Sequence, residues 1–203
     1  VYVFGGYSFT SVATLDTVYR YDLSSDSWST LAPMPTRALV SSAVYYPPTN
    51  KIYVFGGSQR DEAITLDTLQ IYDIASDTWT AGATMPGPRS QMASGFYPLN
   101  GKIYLNGGYA TSTIDSISNQ TWEYDPVADT YTDKAPSPNM QGGTASGIVN
   151  GHLLMSGGRT NPDAILDLTW DYDIATDSWT QGPSLLAPKN VAVFTRQFSV
   201  MID

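Results

Sequence analysis

Five cations offer the most open chemistry in this sequence: Arg37, Arg60, Arg89, Arg159 and Lys189. A guanidinium presents a planar fork of donors that grips a carboxylate through two parallel hydrogen bonds. Tyr7, Phe9 and Tyr109 could add aromatic surface for a peptide or for sugar rings. A second set is acidic: Asp22/Asp26, Asp73/Asp77, Asp125/Asp129 and Asp173/Asp177. Such pairs suggest calcium, but that ion wants about six to eight oxygens, and no cluster of further acids joins them. Turn chemistry, with Asp hydrogen-bonding nearby backbone, is the stronger reading. His152 follows Asn150-Gly151 in a hairpin signal, which suits a surface turn better than a general base. There is no cysteine and no second histidine, which excludes thiolate metal sites, cysteine nucleophiles, disulfides and multi-histidine zinc or copper centres. No nucleophile–base pair is recognisable.

The elements that hold these residues repeat. A diglycine follows an apolar run four times, at Gly5-Gly6, Gly56-Gly57, Gly107-Gly108 and Gly157-Gly158, with spacings of 51, 51 and 50 residues. A Tyr-Asp pair keeps the same register at Tyr21, Tyr72, Tyr124 and Tyr172. Seven residues after each Tyr comes a large aromatic: Trp28, Trp79, Tyr131 and Trp179. Seven further on stands Pro35, Pro86 or Pro138, and Leu186 in the fourth unit. Three independent landmarks aligned four times make an internal repeat.

Each unit reads as four strands. Seventeen Asp stand against two Glu, and 14 Tyr, 17 Gly and 13 Pro favour short strands and tight turns over helices. The fold is expected to be all-β, in one domain of units about 1–36, 37–87, 88–138 and 139–186, with 187–203 a closing or truncated inner strand. Hydrophobic residues make up 42% and charged ones 14%, enough apolar surface for a core. The net charge of −9 argues against a nucleic-acid binder, and no apolar run is long enough for a membrane span.

These motifs closely resemble the kelch repeat: the Gly-Gly pair, the Tyr-Asp pair, the aromatic seven residues later, and the Met34-Pro35 and Met85-Pro86 ends. The resemblance covers essentially the whole chain and implies a β-propeller. It also implies that ligands meet the face built from the loops after the diglycines and the segments before the innermost strands, often through an Arg following the proline of the repeat. Arg37 and Arg89 match that position, while Asn139–Gln141 and Lys189-Asn190 stand there in the other units. Alternation places all five named cations on that face and the Asp turns on the opposite one. The copper oxidases of the family need Cys and His ligands that are missing here. Its iron-dependent specifier proteins need a Glu/Asp run that two Glu do not supply.

The expected function is therefore non-catalytic binding of a protein, a peptide or another acidic ligand, with no cofactor and no metal. A carbohydrate-binding or sialate mutarotase-like propeller is one alternative. The other is an assembly module, a homo-oligomer completed through open blade edges. Four units either close within one chain, with Val191–Ile202 completing the first blade, or form part of a larger ring. Few Lys and abundant Ser, Thr, Asn and Tyr suit an extracytoplasmic or secreted protein.

Overall fold

Short strands separated by Gly- and Asp-bearing turns pair with their sequence neighbours, because tight turns leave antiparallel pairing as the nearest partner. The structure, a computed structural model, describes residues 1–111, 116–161 and 164–189. The first blade holds Tyr2–Ser8, Ala13–Asp22 and Ser27–Leu31. The second holds Ser42–Tyr46, Lys51–Phe55, Leu69–Asp73 and Thr78–Ala81. The third holds Ala93–Tyr97, Lys102–Asn106, Thr121–Asp125 and Thr130–Lys134. The fourth holds Ala145–Val149, His152–Ser156, Thr169–Asp173 and Ser178–Gly182. The all-β reading holds, and the second, third and fourth units show the expected four strands, while the first shows three among the described residues. The expected closing strand lies, from residue 190 onward, outside the described residues.

The diglycines do two jobs. Gly56 and Gly57 sit at φ 55° and 104°, where a side chain is strained. A Cβ on Gly56 would also fall inside the carbonyl oxygen of Arg89. The Gly57 N–H donates to that carbonyl at 2.9 Å, so the diglycine pins the lead-in of the next blade. Gly6 binds the Ala38 carbonyl at 2.9 Å, Gly108 that of Gln141 at 2.8 Å, and Gly158 that of Lys189 at 2.7 Å.

The Asp turns close locally and then reach backward. Asp73 accepts the N–H groups of Ala75 and Ser76 at 3.0 and 3.2 Å, forming an Asx-turn. Asp77, in the left-handed region, accepts the Tyr72 hydroxyl at 2.6 Å. The same Asp77 oxygen accepts the Ala32 N–H of the preceding blade at 2.9 Å, and Trp79 Nε1 donates to the Ala32 carbonyl at 2.9 Å. One alanine is thus held by both its backbone groups. Asp129 and Tyr131 grip Ala83 in this way, and Asp177 and Trp179 grip Ala135. The recurring aromatic is an inter-blade clamp.

Between the blades lies the core. Ile52, Val54 and Tyr72 of the second blade pack on Val18 and Met34 of the first, and Ile103, Leu105 and Tyr124 of the third pack on Tyr53, Phe55 and Leu69 of the second. Leu153 and Tyr172 meet Tyr104 in the same manner. Burial of one such side chain stabilises by roughly 1.5–3 kcal/mol, so neighbouring blades depend on each other.

The turn carboxylates are held below their usual range: Asp73 chiefly by the Ser76 N–H, and Asp77 chiefly by the Tyr72 hydroxyl and then the Ala32 N–H. A lowered folded-state value adds stability that is complete above the unfolded carboxylate range, about 3.9, and disappears as pH falls through the folded values. The melting temperature is therefore expected to hold from neutral pH to about 5 and to drop steeply below about 4. Differential scanning calorimetry across that range checks this, and a melting temperature that climbs on acidification would contradict it.

Candidate functional site

Strand alternation sends the loops after the diglycines and the lead-ins of the inner strands to one end of the blades. There they pair: Leu39 with Ser58, Ser90 with Tyr109, and Gly142 with Arg159. Two short hairpins, Ser58–Gln59 with Ile64–Thr65 and Arg159–Thr160 with Ala164–Ile165, raise the rim further. At the inner end, Gln91 N–H donates to the Val40 carbonyl at 2.9 Å and Gly143 N–H to the Gln91 carbonyl at 3.1 Å. The lead-ins of three successive blades are thereby tied in series.

The half of this face over the first two blades is closed on itself. Arg37 makes ion pairs with Asp61, at 2.6 Å, and with Glu62. Asp61 also accepts the Thr14 hydroxyl at 2.5 Å and the Thr14 N–H at 3.2 Å; the hydroxyl is the main cause of its lowered pKa. Arg60 lies over Tyr7, 5.2 Å from the ring centroid, and 6.0 Å from that of Phe9. Tyr7 and Phe9 therefore carry a cation of the chain itself.

The half over the third and fourth blades is different. Arg89 is 7% exposed, and its guanidinium donates to the Pro88 carbonyl at 2.7 Å, to Ser118 Oγ at 3.0 Å and to Gln120 Oε1. It stacks 5.0 Å above the Trp122 ring. All these partners are neutral, and Arg89 Nε is buried without a hydrogen bond. Burial draws the Arg89 pKa below the arginine range. The lead-ins of the third and fourth blades hold further buried polar atoms without a partner: Gln91 Oε1, Gln141 Oε1 and Thr144 Oγ1. Lys189 lies exposed at the end of the described residues.

Two expectations are corrected here. Arg37 and Arg89 do not share a position: the diglycines bind the carbonyls of Ala38, Arg89, Gln141 and Lys189, so Ala38 is the counterpart of Arg89. No residue is inserted: in Pro86-Gly87-Pro88-Arg89, Pro88 stands where Arg37 stands, and Arg89 falls one place later, at the buried position of Ala38. Tyr109, expected as aromatic surface, is 8% exposed, and its ring occupies the space a Cβ on Gly142 would need. The motif reading missed Ser118, Gln120 and Trp122 around Arg89, since they lie outside the repeat signature.

His152 opens the second strand of the fourth blade, its Nδ1 2.7 Å from Asp171 Oδ1 across the sheet. Among the described residues no group of three or more His, Cys, Asp or Glu could hold a metal ion. The turn aspartates face Tyr hydroxyls and backbone N–H groups instead.

Repeated four-stranded antiparallel units, clamped backward and carrying variable loops at one end, define a propeller-type repeat scaffold. The KLHDC2/KLHL20/DRC7 Kelch-repeats domain model matches residues 1–195, and the chain belongs to the kelch-repeat family. It is 29% identical over 151 residues to Kelch-like protein 35 of Mus musculus, covering 74% of this chain and 24% of that protein. It is 24% identical over 188 residues to the N-(sulfonatooxy)prop-2-enimidothioate sulfolyase of Thlaspi arvense, covering 80% of this chain and 53% of that one. The chain thus spans about a quarter to a half of these relatives. The solved structure of YjhT superposes with a TM-score of 0.78 at 18% identity, covering 94% of this chain and 69% of that chain.

Proposed function

We propose that this chain is a non-catalytic binding module that presents the loop face over its third and fourth blades to an acidic segment of a protein or peptide. The observation that carries the reading is Arg89: a buried cation with no carboxylate partner among the described residues. A charge in a low-dielectric site keeps a long-range field when only neutral groups satisfy it, and an incoming anion supplies the missing counter-charge. Arg37, by contrast, is already neutralised by Asp61 and Glu62. The reading also fits the interaction role general among kelch repeats. Carbohydrate binding is the lesser reading: Tyr109 is buried, and Arg60 lies over the Tyr7 ring, which leaves Phe9, 63% exposed, as the open aromatic of the three. An extracytoplasmic location, drawn from composition alone, completes the proposal.

The test is calorimetric titration with a Glu-rich peptide and its Gln counterpart. Binding of the first, weakened as salt rises above about 0.15 M, with no binding of the second, is expected. Equal binding of both peptides, or binding of neither, would overturn the proposal.

A further inference from the structure

Asparagine followed by glycine is the most reactive amide pair in a protein chain. Glycine carries no side chain to block attack by its own backbone nitrogen on the asparagine amide carbon. The sequence holds three such pairs, Asn100-Gly101, Asn106-Gly107 and Asn150-Gly151, preceded by Leu99, Leu105 and Val149. Their local sequences are alike, but the fold treats them differently.

Asn100 is held at three points. Its Nδ2 donates to the hydroxyl of buried Tyr104 at 2.8 Å, and its Oδ1 accepts the Lys102 N–H at 3.0 Å. The Gly101 nitrogen donates to the Tyr97 carbonyl at 3.0 Å. Asn106 is 1% exposed; its Nδ2 donates to Thr121 Oγ1 at 2.8 Å and its Oδ1 accepts the Ser137 hydroxyl at 3.3 Å. The Gly107 nitrogen donates to the Gln120 carbonyl at 3.0 Å. In both pairs the amide cannot turn toward the nitrogen, and the nitrogen cannot shed its proton, without breaking these bonds.

The third pair is free of such holds. Asn150 and Gly151, at φ 50° and 86°, form the two-residue tip between the paired residues Val149 and His152. In such a turn the hydrogen bonds run between the flanking residues, so the tip N–H groups face water. Asn150 is exposed, and its amide has no hydrogen-bond partner among the described residues. The tip is tied from beneath through the Gly151 carbonyl, which accepts the Ile174 N–H at 3.1 Å and leaves the Gly151 nitrogen open.

We propose that Asn150 is a self-modification site: its side chain closes on the Gly151 nitrogen and is hydrolysed to a carboxyl group, while Asn100 and Asn106 stay intact. The Gly151 nitrogen gives its proton to water and bonds to Asn150 Cγ; the Cγ–Nδ2 bond breaks and ammonia leaves. Water then opens the five-membered imide at either carbonyl, giving aspartate or its β-linked isomer. Both products add a negative charge to a hairpin that is tied to the Asp173 turn, on the face opposite Arg89. The isomer also inserts a methylene into the main chain, at a tip that must keep both the Val149–His152 pair and the Ile174 bond.

The test is incubation of the folded chain at mildly alkaline pH followed by tryptic peptide mapping. Cleavage after Arg89, Lys102, Lys134 and Arg159 puts the three pairs on separate peptides. The mass gain of amide-to-acid conversion is expected at Asn150 at least about tenfold faster than at Asn100 or Asn106, because a locked pair reacts only through local opening. In guanidinium chloride, which removes the fold, the three should convert at comparable rates. An isoaspartyl methyltransferase supplied with S-adenosylmethionine should methylate the incubated chain at position 150. Conversion of Asn100 or Asn106 at or above the Asn150 rate would overturn the proposal, as would an intact Asn150 once the denatured sample has reacted. A preference for Asn150 that survives denaturation would remove the hairpin as its cause, and the proposal with it. A mass gain without methyl acceptance would mean direct hydrolysis and would overturn the imide route.

Discussion

Gly56→Ala is expected to lower the unfolding free energy by about 2–4 kcal/mol, a large part of a typical domain's stability. Two causes act together. The position has φ 55°, which an L side chain adopts with strain, and the new Cβ would collide with the Arg89 carbonyl. Relief would require moving the lead-in of the third blade, which also carries the Gly57 hydrogen bond. Gly147→Ala is the matched control. Gly147 lies in the strand Ala145–Val149, has no atom within 4 Å of a new Cβ, and should gain roughly 0.5–1 kcal/mol from the loss of glycine's chain entropy. Urea denaturation of both variants decides the matter: midpoints moving in opposite directions are expected, and a Gly56→Ala midpoint at or above wild type would refute the argument.

Arg89→Met carries the second large effect, and it separates affinity from stability. Methionine keeps most of the volume against Trp122 and removes the charge. Charged hydrogen bonds are worth about 1.5–3 kcal/mol, so affinity for the Glu-rich peptide is expected to fall at least about tenfold. Stability is expected to stay nearly constant. The variant leaves Ser118 and Gln120 without the guanidinium, but it also ends the desolvation that draws the Arg89 pKa down. Arg37→Gln should leave affinity within about twofold, because Asp61 and Glu62 already neutralise that cation. If Arg37→Gln abolished binding while Arg89→Met kept it, the site would lie over the first two blades instead.

Much of the frame was legible in the chain because its demands are local. A strand that must leave its sheet at positive φ requires glycine, an Asx-turn requires aspartate, and a clamp on the preceding blade requires a large aromatic; each recurs once per unit. The site was legible only in part. That Arg89 would lie on the loop face followed from alternation, but its burial follows from its standing one position later in the unit than Arg37. The signal was present in the sequence: Arg89 stands ten residues after Trp79, as Gln141 stands after Tyr131, while Arg37 stands nine after Trp28. Counting from the proline gives the same register, since it stands seven residues after each aromatic: Arg37 comes two residues on, Arg89 and Gln141 three. Ser118, Gln120 and Trp122 could not be found that way, since they meet Arg89 from about 30 residues further along the chain, at positions the repeat signature does not mark. Nor did the motif reveal that Arg37 would be neutralised, because Asp61 and Glu62 come from a hairpin tip with no counterpart in the repeat signature.

The clamps give the array a mechanical polarity. Every grip reaches from a later blade to an earlier one, and the serial bonds from Gln91 to Val40 and from Gly143 to Gln91 run the same way. A tension applied at the late end loads the Asp177–Trp179 grip on Ala135 first and reaches Ala83 and Ala32 only after that grip has opened. The chain under load then behaves as a ratchet of nearly equal links. Each link pays out one repeat, roughly 170 Å of extended backbone for about 50 residues, before the next begins to yield.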